Sequence, residues 1–194
     1  MCTGNICRSP LAQQLLAKAF LDIPEVKVAS VGTQAAAGSG MPEHSLDIAR
    51  RYGVKAPEQH VSRQMTEQEL ASGDLILAMD RTHRRLIAEM NPRVATKIFT
   101  IREFARLADA TTDADLEMEF QVVRPTTTVE RLRTAVVSVG LGRGMTPPLE
   151  DPSLDDVVDP YGHGLDVFEI SAQQLVPALN STHLVLRRAL SLEF

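Results

Sequence analysis

The first sixteen residues, MCTGNICRSPLAQQLL (residues 1–16), place a loop containing glycine and asparagine directly before a helix. Ser9 is a favourable N-cap residue and Pro10 a favourable first helical residue. Leucines then recur at helical spacing, so the sequence predicts a helix over residues 10–21. Glycine and asparagine tolerate left-handed backbone, so successive N–H groups of the loop can point inward and form a nest for an anion.

The chemistry of this loop favours a phosphate-like ligand. The N-terminus of the following helix adds positive potential, and Arg8 can form two parallel hydrogen bonds with phosphate oxygens. Cys2 in that field is expected to be a thiolate, a nucleophile aimed at the bound oxyanion, with the Ser9 hydroxyl donating to its sulfur. The predicted loop contains Cys2, Thr3, Gly4, Asn5, Ile6, Cys7, Arg8 and Ser9.

Strands and helices alternate along most of the chain. Apolar and β-branched runs predict strands at residues 26–31, 74–79 and 97–101. Helical patterns occupy residues 42–52, 66–71, 81–90 and 102–110. This alternation predicts an α/β fold with a parallel sheet.

A second pattern begins after residue 110. Residues 111–148 combine a polar, acidic run, a helical stretch at residues 129–139 and a glycine-rich loop, and a long helix follows at residues 166–192. We expect a helical insertion at about 111–148 within one domain that spans residues 1–194.

Composition excludes several classes of protein. The net charge of −5 argues against a nucleic-acid partner, and no apolar run is long enough for a membrane span. The chain begins without a signal-peptide pattern, so we expect a cytoplasmic protein. Two cysteines without zinc spacing predict no metal and no cofactor. His83 lies in an arginine-rich helical segment and is expected at the surface.

Chemistry on a phosphate ester also requires an acid for the leaving oxygen. Asp159 precedes Pro160 and Gly162, which predict a rigid turn that holds its carboxyl group in place. Tyr161 offers a wall for an aromatic ring. By this reasoning alone, a role of Asp159 as the acid and a place in an ordinary surface turn are equal alternatives.

The segments 2–10 and 159–162 together resemble the low-molecular-weight protein tyrosine phosphatases, a family that includes arsenate reductases. Residues 30–33 resemble the family's Ser-Ala-Gly-Thr, residues 60–64 its His-x-Ala-Arg-Gln, and residues 74–79 its strand ending in methionine. The resemblance implies a small doubly wound parallel sheet, normally of four strands, flanked by helices.

The resemblance also implies the catalytic roles. Cys2 attacks phosphorus and becomes phosphocysteine, and Arg8 binds the equatorial oxygens. Asp159 protonates the leaving tyrosine oxygen and then serves as base for the hydrolytic water, while Tyr161 lines the substrate cleft. Cys7 matches a loop cysteine that can trap Cys2 as a reversible disulfide; the alternative is a buried, small apolar residue.

Supporting residues follow from the same resemblance. Asn5 and Ser30 match a pair that braces the loop, and His60 matches a member of that network. Implied partners are a phosphotyrosine protein or a small aryl phosphate, with phosphate, sulfate, vanadate and arsenate as inhibitory anions. Two alternatives stay open: arsenate reduction with a small thiol, and a phosphate-binding protein without turnover.

One expected element is absent from the sequence. Members of the family carry a central strand directly before the loop, and here only Met1 stands in its place. Its loss would leave two neighbouring strands without ladder hydrogen bonds. We therefore expect the first central strand to be missing, through a mis-assigned start or a truncation that could also make the chain inactive.

Overall fold

The computed structural model describes residues 1–193, which form helices around a short parallel sheet. The helices are α1 (Arg8–Ala19), α2 (Glu43–Arg51), α3 (Glu67–Ser72), α4 (Arg81–Met90), α5 (Ile101–Ala110), α6 (Asp113–Val123), α7 (Thr128–Leu141) and α8 (Leu165–Ser191). The strands are β1 (Ile76–Ala78) and β2 (Ile98–Thr100).

All pairings of the sheet run parallel, as the alternation of elements predicts. β1 pairs with β2, with Ile76 opposite Ile98. Single-residue bridges join Gly32 to Cys2 on one side and to Gln64 on the other. The carboxyl ends of all these segments therefore meet at one edge, where α/β sheets bind their ligands.

The strand predicted at residues 26–31 is wrong. This stretch forms no ladder, and pairing begins only at Gly32. A strand requires a neighbouring strand to which it is hydrogen-bonded. Beside residues 26–31 the described chain leaves a groove in place of such a neighbour. The β-branched composition predicted a strand, but no segment within residues 1–193 pairs with it.

Within residues 1–193, the centre of the sheet shows the predicted gap. The Met1 amino group donates to the Leu77 carbonyl at 2.5 Å, and the Met79 N–H donates to the Met1 carbonyl at 2.9 Å. On the opposite side, the Thr33 N–H donates to the Cys2 carbonyl at 3.0 Å. Met1 and Cys2 thus occupy the last positions of a central strand.

A groove of about 630 Å³ continues from Met1. Residues 25–31 form one wall and residues 72–77 the other, and α1, α7 and α8 contribute the apolar floor. Met1 and Cys2 bridge these two walls by backbone hydrogen bonds at the end of the groove, so the spacing of the walls matches one strand.

Capping boxes define the beginnings of four helices. Thr66, Thr100, Thr112 and Thr127 each accept a hydrogen bond from the residue three positions later, whose side chain bonds back. No helix was predicted from the sequence at the position of α6. The Thr112 box uses Asp115, and α6 buries only Leu116 and Phe120, so its helical signal is weak.

α8 is the central helix of the packing. It runs through Pro177 without ending and contacts α1, α5 and α7. α6 and α7 lie in the predicted insertion and pack against α8 through a cluster that includes Leu116, Phe120 and Ala189. Among residues 1–193, no helix has both the length and the apolarity needed to cross a membrane.

Filling the groove should stabilise the fold. We expect a valine- and isoleucine-rich segment of five residues, fused ahead of Met1, to raise the melting temperature by about 5 °C or more, because it buries apolar surface and pairs with both walls. A glycine–serine segment of equal length is the control. Equal melting temperatures for the two fusions, measured by scanning calorimetry, would contradict this interpretation of the groove.

Candidate active site

The backbone of the loop after Cys2 turns its carbonyl groups outward. Four consecutive carbonyls accept hydrogen bonds from donors outside the loop. The pairs are Thr33 N–H to Cys2 (3.0 Å), Gln34 N–H to Thr3 (3.1 Å), Ala36 N–H to Gly4 (3.1 Å) and His60 Nε2 to Asn5 (2.7 Å). In a trans peptide the next N–H points the opposite way, so the N–H groups of residues 3–6 face inward. Within residues 1–193, no N–H group of residues 3–8 donates a hydrogen bond.

Asn5 holds the turn of the loop. Its backbone is left-handed, with φ of 55°, and its side chain is fully buried. The Asn5 amide donates to Ser9 Oγ and to Ser30 Oγ, both at 2.9 Å, and its oxygen accepts from the Arg63 N–H at 3.0 Å. Asparagine adopts this conformation at low cost, and here it also satisfies all of these partners.

Ser9 does not cap the helix, contrary to the sequence prediction. α1 begins at Arg8, with Cys7 in the N-cap position and no side-chain cap. The Ser9 hydroxyl lies 3.0 Å from Cys2 Sγ instead. Because Asn5 donates to Ser9 Oγ, the hydroxyl proton remains free to be donated to the Cys2 sulfur.

The two cysteines of the loop differ in their surroundings. Both are buried and neither forms a disulfide. Burial raises the pKa of the Cys7 thiol to about 12, outweighing a hydrogen bond with Ser45. Cys7 is therefore a neutral thiol at pH 7, and Cys2 is the cysteine that the loop surrounds. The disulfide between them stays a prediction.

Arg8 joins the loop to a second segment of the chain. Its side chain is 3% exposed, and its Nη1 donates to the Val157 carbonyl at 3.0 Å. Nη1 also lies 3.3 Å from Asp80, and Nη2 lies 2.6 Å from Asp159 Oδ2. The buried Nε has no partner within residues 1–193, so Arg8 keeps one donor for a ligand.

The turn predicted around Asp159 is present. The Tyr161 N–H donates to Asp159 Oδ1 at 3.2 Å, and Gly162 has a φ of 80° that suits glycine. The Asp159 side chain is half exposed and Tyr161 is 66% exposed. The structure thus brings Asp159 to Arg8 and leaves Tyr161 open to a ligand.

The predicted supporting residues also reach the loop. Ser30 accepts from Asn5 and donates to Gln13 at 2.6 Å. His60 contacts the loop through its Nε2, as described above, which fixes a proton on that nitrogen since a carbonyl only accepts. Gly32 is required by close approach, because a Cβ there would lie 2.4 Å from the Thr3 carbonyl oxygen.

Sequence reasoning missed Asp80 and misplaced His83. His83 is 3% exposed, not a surface residue; its Nε2 lies 2.8 Å from Thr3 Oγ1 and its Nδ1 lies 2.7 Å from Asp80. Asp80 lies two residues after β1, at the carboxyl edge of the sheet, and directly after the strand predicted at residues 74–79, which was the signal available in the sequence.

Comparison with known proteins identifies similar chains. The family described as low molecular weight phosphotyrosine protein phosphatase matches residues 1–121. A probable low molecular weight protein-tyrosine-phosphatase of Erwinia amylovora is 39% identical over 97 residues, or 50% of this chain. The match covers 65% of that relative, which is less than two thirds of its length. A protein-arginine-phosphatase of Geobacillus stearothermophilus is 35% identical over 62% of this chain and 76% of its own length. The crystal structure of an Erwinia amylovora tyrosine phosphatase superposes with a TM-score of 0.61, at 26% identity over 93% of this chain and 85% of that one.

Asp80 should make the stability depend on acid pH. Burial alone raises the pKa of Asp80, but hydrogen bonds from His83 and the charges of His83 and Arg8 lower it from 3.8 to about 2. Its stabilisation is therefore complete above about pH 4 and lost as the pH falls towards 2, by about 2 kcal/mol. We expect Asp80→Asn to remove this part of the pH dependence in urea unfolding.

The control for this prediction is Asp22→Asn. The pKa of Asp22 is also lowered to about 2, through its hydrogen bond with Arg187, but this carboxyl group lies on the surface. Solvent screening makes such pairs contribute little, so this variant should change the profile less. Equal changes in the two variants would contradict the role of Asp80.

Proposed function

This chain belongs to the low molecular weight phosphotyrosine protein phosphatase family, and we propose that it hydrolyses aryl phosphates, phosphotyrosine foremost, through a phosphocysteine on Cys2. One observation carries the proposal. The loop directs four backbone N–H groups inward around Cys2, and Arg8 joins that loop to the carboxylate of Asp159. Nucleophile, oxyanion donors and acid therefore belong to one connected site.

Binding of a phosphate ester comes first. The inward N–H groups and the start of α1 supply donors and positive potential for the phosphate oxygens. Arg8 contributes its unpartnered Nε and can release Nη2 from Asp159 to complete a two-pronged contact. Preorganised donors of this kind stabilise the charge that develops on the transferring phosphoryl group.

Attack by the Cys2 thiolate then forms the S–P bond while the P–O bond of the ester breaks. The electron pair passes to the leaving oxygen, which takes a proton from Asp159. Binding of the phosphate by Arg8 replaces the contact between Arg8 Nη2 and Asp159, which frees the carboxyl group to face the leaving oxygen. Asp159 next accepts a proton from water as that water attacks phosphorus, and the S–P bond breaks to restore the Cys2 thiolate and release inorganic phosphate.

The edge of the site favours an aromatic substrate. Tyr161 is exposed beside Asp159 and offers its ring to an aromatic leaving group. Similarity to a protein-arginine-phosphatase over 76% of that relative makes phosphoarginine the second candidate, since a planar guanidinium also stacks on an aromatic face. Arsenate reduction with a small thiol would use the same loop and Cys2.

Hydrolysis of p-nitrophenyl phosphate and of a phosphotyrosine peptide is the first test. We expect turnover by the natural chain, and we expect Cys2→Ser to reduce it by about 10³-fold or more, because no other group near the loop replaces the thiolate. Binding of inorganic phosphate should stay within about threefold, since the N–H groups and Arg8 remain. Cys7→Ser is the control and should retain most of the turnover.

The alternatives give different results in parallel assays. Faster hydrolysis of phosphoarginine than of phosphotyrosine would replace the proposed substrate class. Activity confined to thiol-dependent arsenate reduction would overturn the phosphatase proposal. Phosphate binding without turnover of any of these compounds would indicate a binding protein. Unchanged turnover in Cys2→Ser would exclude Cys2 as the nucleophile.

If Asp159 is the acid, the loss of activity in Asp159→Asn should depend on the leaving group of the ester. We expect kcat/KM to fall by about 10² to 10⁴-fold for phenyl phosphate, a poor leaving group that needs a proton. The fall should be much smaller for p-nitrophenyl phosphate, whose phenolate leaves without help. An equal loss for both esters would count against Asp159 as the acid.

A further inference from the structure

We propose that Arg81 is a positioning residue for Asp159. Arg81 fixes Asp156, three residues before Asp159, and thereby keeps the Asp159 carboxylate next to Arg8. Arg102 and Arg106 complete what we call the arginine clamp, defined by Arg81, Arg102 and Arg106. The inference rests on the proposed function, because it names the part of the chain that aims the acid.

Arg81 contacts Asp156 through both its backbone and its side chain. The Arg81 N–H donates to Asp156 Oδ1 at 2.8 Å. Its Nε lies 3.2 Å from each carboxylate oxygen, and its Nη2 donates to Oδ2 at 3.0 Å. A planar guanidinium in this forked arrangement fixes the orientation of the carboxylate as well as its distance.

The other two arginines hold the same short segment from α5. Arg102 Nη1 donates to the backbone carbonyl of Asp156 at 2.8 Å, and Arg106 Nη2 lies 3.2 Å from Asp155 Oδ2. Residues four apart share one face of a helix, so Arg102 and Arg106 approach the segment from one direction and Arg81 from another. The clamp therefore restrains both side chains and the backbone of this segment.

The residues between Asp156 and Asp159 are also held by hydrogen bonds. After Asp156, the Val157 N–H donates to the Met79 carbonyl at 2.8 Å and the Val157 carbonyl accepts from Arg8. The Val158 N–H donates to Gln174 Oε1 at 2.8 Å, and Asp159 follows. Every residue from the clamp to the acid is bound, so Asp159 has little freedom to shift relative to Arg8.

This geometry predicts an effect on rate larger than the effect on stability. The Arg81 side chain is 44% exposed and that of Asp156 is 28% exposed, and exposed ion pairs contribute little to folding. A displacement of about 1 Å at a reacting group, by contrast, can reduce a rate by about 10²-fold. Variants of Arg81 should therefore fold and still lose activity.

α4 supplies a matched control. Arg85 lies four residues after Arg81 on the same helix and approaches Glu89 at 3.8 Å, an exposed pair that includes no residue of the segment 155–159. Arg85→Gln removes the same charge and the same kind of side chain as Arg81→Gln. Only Arg81→Gln disconnects Asp156.

The kinetic test compares esters with poor and good leaving groups. We expect Arg81→Gln to lower kcat/KM for phenyl phosphate by about tenfold or more and for p-nitrophenyl phosphate much less, with inorganic phosphate binding unchanged. Arg81→Lys should recover part of the loss, and Arg85→Gln should stay within about twofold of the natural chain. Equal losses for both esters would overturn the proposal.

A double substitution tests whether Arg81 acts through the acid. In the Asp159→Asn background, Arg81→Gln should change kcat/KM by less than about twofold, because the group it positions is already gone. A full multiplicative loss would assign Arg81 a separate role and would also overturn the proposal.

Hydrogen exchange gives a readout that does not need activity. Arg81→Gln should accelerate exchange of the buried Val157 amide, and Arg85→Gln should leave it unchanged. Unchanged protection in Arg81→Gln would overturn the positioning proposal whether or not the chain is active. Faster exchange in a chain without phosphatase activity would support the restraint and count against the proposed function alone.

Discussion

The buried amide of Asn5 is the contact on which the site depends. Its left-handed backbone turns the loop, its two N–H groups reach Ser9 and Ser30, and its oxygen accepts from Arg63. Because Asn5 donates to Ser9 Oγ, the Ser9 hydroxyl proton is left to point at the Cys2 sulfur. One side chain thus sets both the backbone shape that directs N–H groups inward and the hydrogen bond at the sulfur.

The other residues of the site meet at the carboxyl edge of the sheet. β1 ends at Ala78, and the next residues each make a separate contact: Met79 with Val157, Asp80 with Arg8, and Arg81 with Asp156. The beginning of α4 therefore contacts both Arg8 and the segment that precedes Asp159. Parallel strands make this possible, because they deliver their following loops to one side.

Long periodic elements were predictable from the sequence. The bounds of α4 agree with the predicted helix, and β1 and β2 lie within predicted strands. The failures have physical causes. Residues 26–31 lack the neighbour that a strand needs, and α6 buries too little of its surface to give a strong periodic signal. Ser9 has the right residue type for a cap, but its hydroxyl accepts from Asn5 and contacts Cys2 instead.

The sequence by itself determined the loop and the order of its groups, because neighbouring residues such as Cys2, Arg8 and Ser9 cannot separate far in space. It also contained the rigid turn at Asp159, since Pro160 and Gly162 act locally. Only the tertiary structure decided that this turn meets Arg8 at 2.6 Å, across about 150 residues, and that His83 is buried against Thr3. Such contacts arise from the packing of whole helices and strands, and no local pattern of residues encodes them.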